Sequence, residues 1–260
     1  VPYQQWLSTA RTLGKAVRLV PVDGLIDRQR MVKSPDEIEL IRRSVLLASK
    51  AYERAIRKVK PETTEVALAA EIDYQMRKLG ASGPSFDTIV AAGPRSALPH
   101  AQPTSARIGK NQFLLVDMGA CLDGYASDMT RMAHMGRPKG KAADLYAAVL
   151  EAQLAAIDAV RPGVAARKVD QAARRSLKKR HLDRAFMHGT GHGLGLEIHE
   201  NPRIGRTSED ILEAGMVITI EPGAYIEGYG GVRIEDTILV TEAGAEILTP
   251  TAKELLVLAS

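Results

Sequence analysis

The sequence has one cysteine, Cys121, in 260 residues. A lone thiol excludes an intrachain disulfide framework and suits a reducing compartment. Aromatics make up only 4%, and no basic run is interleaved with them, so nucleic-acid binding has little support and none is expected. No apolar run approaches the roughly 18 residues of a membrane span, so no membrane partner is expected. The opening residues lack the continuous apolar core of a signal peptide, and no initiator Met precedes them. A cytoplasmic protein is the expectation from these absences.

What is present is an ordinary globular composition, 45% hydrophobic and 25% charged, with a formal net charge of +4. Residues 1–33 read as a leader or linker that ends in the basic stretch RQRMVK. Ser34, Pro35 and Glu37 then form an N-cap, a first helical position and a capping box. Ile38, Ile41, Val45, Ala48, Tyr52 and Ile56 follow at helical spacing. A second helix is expected from about Thr64 to Leu79, stopped by Gly80. Two further helices are expected over residues 140–160 and 166–180. Two hairpins complete the pattern, QFLLVDMGACLDGYASDMTRMAHMG and MVITIEPGAYIEGYGGVRIEDTILVTE. Helix, helix and hairpin thus occur twice. Asp117 and Glu221 hold matching places in the two hairpins, 104 residues apart. An internal duplication with a pseudo-twofold relation follows from this pattern.

The segment HGTGHGLGLEIHE, residues 188–200, holds three of the six histidines. A zinc-protease helix needs Glu directly after the first His, and Gly189 stands there. Four glycines, each costing roughly 1 kcal/mol in a helix relative to Ala, favour an extended segment. His188, Thr190 and His192 would then share a face, and the glycines would let another backbone approach closely. A glycine-rich turn with scattered surface histidines is the alternative.

Four acids interrupt apolar strands: Asp117, Asp128, Glu221 and Glu235. Buried carboxylates are costly unless paired or metal-bound. A first hairpin turning at Leu122–Asp123 would set Asp117 across from Asp128. A second centred on Gly228 would set Glu221 across from Glu235. Cross-strand partners lie roughly 5 Å apart at Cβ, so each pair of like charges calls for a cation. Arg131 and Arg233 are nearby in sequence, but divalent metal is the stronger candidate. Four carboxylates and one imidazole are too many for a single open tetrahedral zinc. They suit two cations such as Mn²⁺, Co²⁺ or Fe²⁺. His192 would be the nitrogen ligand, with His188 and His199 beside the site as proton donors or oxyanion stabilisers.

On the segments SALPHA, LLVDMGA, GYASDMTR, HGTGHGLGLEIHE, ITIEPGAY and GGVRIEDT, the sequence resembles the pita-bread metallopeptidases. That family includes Xaa-Pro aminopeptidases, prolidases, methionine aminopeptidases and the metal-free creatinases. The resemblance implies an α+β pita-bread fold with duplicated halves and a catalytic domain over residues 34–260. Residues 1–33 would be the remnant of an N-terminal domain. It implies metal ligands at Asp117, Asp128, His192, Glu221 and Glu235, and Glu221 as general base. It places His100 and His199 beside the substrate, with His199 steadying the tetrahedral intermediate. His188 and Arg233 match substrate-binding positions of the proline-specific branch. Two divalent ions are implied, Mn²⁺ first, with Co²⁺, Fe²⁺ or Zn²⁺ possible in the same ligands. A homodimer is implied as well. His134, His181 and Cys121 match no functional position and read as structural.

The activity expected first is an Xaa-Pro aminopeptidase acting on peptides with proline at the second position. An Xaa-Pro dipeptidase is the near alternative, and a methionine aminopeptidase the more distant one. The non-enzyme alternative is an interaction module on the same fold.

Overall fold

The computed structural model describes residues 2–14 and 17–259. Its helices are α1 (Tyr3–Leu13), α2 (Leu25–Met31), α3 (Pro35–Ile56), α4 (Glu65–Lys78), α5 (Lys141–Asp158) and α6 (Ala166–Lys179). The strands of the first half are β1 (Gly83–Pro84), β2 (Ile89–Ala92), β3 (Phe113–Met118), β4 (Ala120–Leu122), β5 (Tyr125–Ala126) and β6 (Met129–Met135). Those of the second are β7 (Gly191–Gly193), β8 (Glu200–Ile204), β9 (Val217–Ile220), β10 (Gly223–Ile226), β11 (Gly230–Arg233), β12 (Asp236–Thr241) and β13 (Gly244–Ile247). A final strand, β14 (Leu256–Leu258), lies parallel to β6 and so joins the first half's sheet.

The helix starts follow from local chemistry. Ser34 Oγ accepts from the Glu37 N–H, and Glu37 returns a carboxylate to the Ser34 N–H at 2.8 Å, closing the capping box. Thr64 Oγ1 caps α4 by accepting from the Ala67 N–H. α3 buries Ile41, Val45, Ala48, Tyr52 and Ile56 along one side. Full burial of each large apolar side chain contributes about 1.5–3 kcal/mol.

Two main sheets form, with strand orders β14-β6-β3-β2 and β13-β12-β9-β7-β8. Alternation along β3 decides where the site can lie. Leu114, Val116 and Met118 face the core shared with α3 and α4. Phe113 and Leu115 face the other core, which takes in α5, α6, Ile218 and Ile220. Asp117 is in phase with Phe113 and Leu115, so it faces the seam between the halves.

The two hairpins differ from expectation in one respect. The first turns at Asp123–Gly124, not at Leu122–Asp123. Both turn residues are left-handed, at φ 51° and 84°, the conformation that matches a two-residue loop to strand twist. Cys121 therefore pairs with Ala126, and Asp117 lies across from Thr130 rather than Asp128. The shift is two residues, so Asp128 keeps the face expected for it. In the second hairpin Gly223 pairs with Arg233 and Ile220 with Asp236, the register centred on Gly228.

The expected leader also divides. α1 buries no side chain. From α2 onward the chain is part of the folded body: α2 packs against β8, Val32 bridges to Met216, and the Lys33 N–H donates to Gly215 O at 2.9 Å. Among the described residues no helix is long and apolar enough to cross a membrane.

Candidate metal centre

Both sheets break their ladders beside the acids. Asp128 sits in the gap between β5 and β6; Glu221 and Glu235 sit in the gaps flanking β10 and β11. Asp117 is still within β3. His192 comes from β7, where a bulge separates it from Gly193. Asp117, Asp128, His192 and Glu235 are buried, and Glu221 is nearly so.

The glycines of this segment permit the close packing that holds it. A Cβ at Gly191 would lie 1.9 Å from Thr219 O, and one at Gly193 would lie 2.2 Å from Asn201 O. The extended stretch is short, however. His188 and His192 line the cavity, whereas Thr190 turns away and its hydroxyl donates to Asp170 on α6 at 2.9 Å. The shared face expected for all three residues is therefore absent, because only residues 191–193 are strand.

Ligand atoms of Asp128, His192 and Glu235 lie within 4.8 Å of one another. His192 Nε2 is 3.6 Å from Asp128 Oδ2 and 3.4 Å from Glu221 Oε1. Its Nδ1 is 2.9 Å from Gly193 O. A carbonyl can only accept, so Nδ1 carries the proton and the Nε2 lone pair faces the acids. Burial lowers the His192 pKa to about 4, which keeps the ring neutral. Asp117 lines the same cavity, with Oδ2 receiving Arg233 Nη2 at 2.6 Å.

The electrostatics are those of a site short of positive charge. Burial, then the charges of Glu235, Asp117 and Glu221, hold Asp128 well above the carboxylate range. Burial, then Glu221 and Asp117, do the same to Glu235. Burial pushes Glu221 up to about 7, with Arg233 opposing and Asp117 adding to the push. Asp117 Oδ1 and Glu235 Oε1 are buried with no hydrogen-bond partner among the described residues. Orphaned buried oxygens of this kind are costly, and a hard or borderline cation would satisfy them. The donor set, carboxylates with one imidazole, fits a divalent metal.

Around this centre lie residues that the sequence did not single out. Thr130 Oγ1 donates to Glu235 Oε2 at 2.7 Å and accepts from Arg233 Nε at 3.0 Å. Thr219 Oγ1 donates to Glu221 Oε1 at 3.2 Å. Tyr225 OH accepts from Arg233 Nη1 and lies 2.8 Å from His188 Nε2. His188 Nδ1 lies against Gly189 O, so Nε2 is the acceptor and the tyrosine donates to it. Burial, then Arg233, lowers His188 to about 4. For Arg233 burial opposes its charge, but Tyr225, Asp117 and Glu221 outweigh that and hold the pKa above its ordinary value. The one missed residue with a readable signal is Tyr225, which stands within the EPGAY segment.

The cavity has a volume of about 430 Å³ and is also lined by His100, His199 and Arg203. His100, His199 and Arg203 are exposed at its mouth. The His199 ring meets His192 edge-on, 4.4 Å between centroids. Arg131 does not line the cavity; it is buried behind it, paired with Asp236 at 2.7 Å and donating to Glu235 O. His134 is buried edge-on to Phe113.

The chain is 46% identical over 235 residues to the Xaa-Pro dipeptidase of Pyrococcus furiosus, covering 90% of this chain and 68% of that protein. It superposes on the Xaa-Pro dipeptidase from Bacillus anthracis with a TM-score of 0.94 at 39% identity, covering 99% of this chain and 72% of that one. It superposes on the X-Pro aminopeptidase from Thermotoga maritima MSB8, also at 0.94, with 34% identity and coverage of 99% and 73%. The fold is accordingly the α+β pita-bread fold of these peptidases. The profile of "Metallopeptidase family M24" matches residues 39–242, and the chain belongs to that family.

Proposed function

We propose that this metallopeptidase is an Xaa-Pro dipeptidase, in place of the aminopeptidase expected first from the sequence. The observation that carries the metal chemistry is the buried cluster around His192 with its unpartnered Asp117 and Glu235 oxygens. The dipeptidase reading is supported by the similarity to dipeptidases of Pyrococcus furiosus and Bacillus anthracis. It is also supported by Arg203, a guanidinium at the cavity mouth with no ion-pair partner among the described residues. A dipeptide presents a free carboxylate one residue from the scissile bond, and a guanidinium is its natural receptor. The aminopeptidase stays as the second reading because of the match to the Thermotoga maritima structure.

In this reading Asp117, Asp128, His192, Glu221 and Glu235 hold two divalent ions, manganese first. The ions would polarise the substrate carbonyl and acidify water. The remaining work falls to the chain. Glu221 takes a proton from the attacking water and delivers it to the proline nitrogen as the C–N bond breaks. His199, its pKa lowered by partial burial at the cavity mouth and then by Arg203 and His100, donates a hydrogen bond as a neutral ring to the developing oxyanion. His100, at the same mouth, contacts the substrate. Arg233 fixes Asp117, and through Tyr225 it orients His188 toward the substrate. Phe86, Ile198 and Ile204 give an apolar wall for the pyrrolidine ring. An Xaa-Pro bond has no N–H to offer a protease, so a site that acts on the carbonyl suits it. The same reading carries a homodimer in a cytoplasmic setting.

The test is hydrolysis of Ala-Pro, Ala-Pro-Ala and Met-Ala-Ser with added Mn²⁺, beside a chelated control. Cleavage of Ala-Pro alone, lost on chelation, is expected. Release of Ala from Ala-Pro-Ala would make the enzyme an aminopeptidase, and loss of Met alone would overturn the proline assignment. Arg203→Ala should raise KM for Ala-Pro by roughly 10- to 100-fold, the worth of a charge-assisted hydrogen bond.

A further inference from the structure

His199 makes no side-chain hydrogen bond among the described residues; its ring only rests edge-on against that of His192. Its place therefore depends on its backbone, and that backbone leads directly into Glu200. Glu200 is buried and stands across from Gly193, the residue whose carbonyl orients His192. Its two carboxylate oxygens are held from the segment before α3. Lys33 Nζ donates to Oε2 at 3.0 Å, and Arg30 Nη2 donates to Oε1. Oε1 also accepts from the Glu197 N–H at 3.1 Å, which folds the loop back on the same anchor. The Lys33 side chain is 2% exposed and that of Glu200 5%. Gly195 leaves room for the pair, since a Cβ there would lie 3.0 Å from Glu200 Oε2 and 3.1 Å from Lys33 Cε. Lys33 is itself fixed at the backbone by Gly215 O.

We infer that Lys33, with Arg30, is a positioning residue for His199, acting through the buried carboxylate of Glu200. The inference rests on the reading that His199 serves the substrate. The working unit of the enzyme then begins at about Leu25, ahead of the domain boundary expected at residue 34. A buried ion pair is a poor source of stability but a good register device. Here the register it sets is that of the loop over the metal centre. A displacement of about 1 Å at such a group can lower kcat by roughly 100-fold.

The experiment is a double-mutant cycle between Lys33 and His199 in the metal-loaded full chain. Lys33→Met should lower kcat for Ala-Pro by roughly 10- to 100-fold with little change in KM or metal content. Lys33→Arg should restore most of the loss. In a His199→Ala background, Lys33→Met should change kcat by less than about twofold, because the group it positions is gone. Equal losses in both backgrounds would overturn the inference, since a general structural defect acts whether or not His199 is present. Hydrogen exchange supplies a readout independent of turnover. Lys33→Met should speed exchange of the amides at 197–200 and leave those of α3 protected. Unchanged exchange in the loop would also overturn it. If the parent enzyme cleaves no Xaa-Pro substrate, the proposed function fails while the exchange measurement still decides whether Lys33 holds the loop through Glu200.

Discussion

The two central hairpins are built alike and open differently. In the second half the ladder runs from Leu239 to Asp236 against β9, stops, and resumes at Arg233 against Gly223. Both glutamates fall in the interruption, directly opposed. In the first half the ladder continues through Asp117, because its partner is Thr130, and stops only beyond Met118 and Met129. Only Asp128 falls in that interruption. Two carboxylates cannot face each other inside a regular pair without repelling. A carboxylate facing a hydroxyl can, and the same hydroxyl is then free to reach across the seam to Glu235. The first half thus carries its ladder past Asp117 and supplies a bridge, while the second interrupts its ladder at both acids and supplies the more open pair.

The largest break in this comparison comes from removing a member of the open pair. Glu235→Gln should cost several kcal/mol of metal-dependent stabilisation, on the order of 10³-fold in turnover, with metal content falling in parallel by elemental analysis. Closing the first interruption is next. A Cβ at Gly119 would lie 1.8 Å from Ser127 O, so Gly119→Ala should destabilise by about 3 kcal/mol, read by urea unfolding. Removing the bridge is milder. Thr130→Val should weaken metal binding by roughly 10- to 100-fold, measured by titration calorimetry, with the fold intact by circular dichroism.

The pH dependence sharpens the same contrast. Glu221 binds its proton more tightly in the folded chain, at about 7 against an ordinary 4.5. The stability tied to that proton is complete below about pH 4.5 and is lost as pH rises through about 7. Metal-free protein should therefore lose roughly 5 °C of Tm between pH 5 and pH 8, and saturating Mn²⁺ should abolish the slope. The smallest effect belongs to the turn. Gly124, at φ 84°, should tolerate Ala at a cost of about 1 kcal/mol.

The helices were legible because their signals are local: Ser34, Pro35 and Glu37 announce α3 within four residues. The acids were legible because a carboxylate in an apolar strand has few innocent explanations. The second hairpin's register followed from its symmetry about Gly228. In the first, the turn was set at Leu122–Asp123 although the next pair, Asp123–Gly124, has the residues that left-handed turns prefer. The clustering of the acids was insensitive to that slip, because a two-residue shift keeps every side chain on its face. Thr130 with Glu235, Tyr225 with His188, and Lys33 with Glu200 were not legible. They join residues far apart in the chain, and no periodicity marks such a contact.

The seam between the halves also governs when this chain can act. Asp117 and Asp128 are made before His192, Glu221 and Glu235, and β14 returns to the first half's sheet only at residues 256–258. The early half can fold as it emerges from the ribosome, but it holds two aspartates and no imidazole of the cluster. A hydrolase assembled across such a seam is inert as a nascent chain. It gains its chemistry only when the strands that carry His192, Glu221 and Glu235 dock.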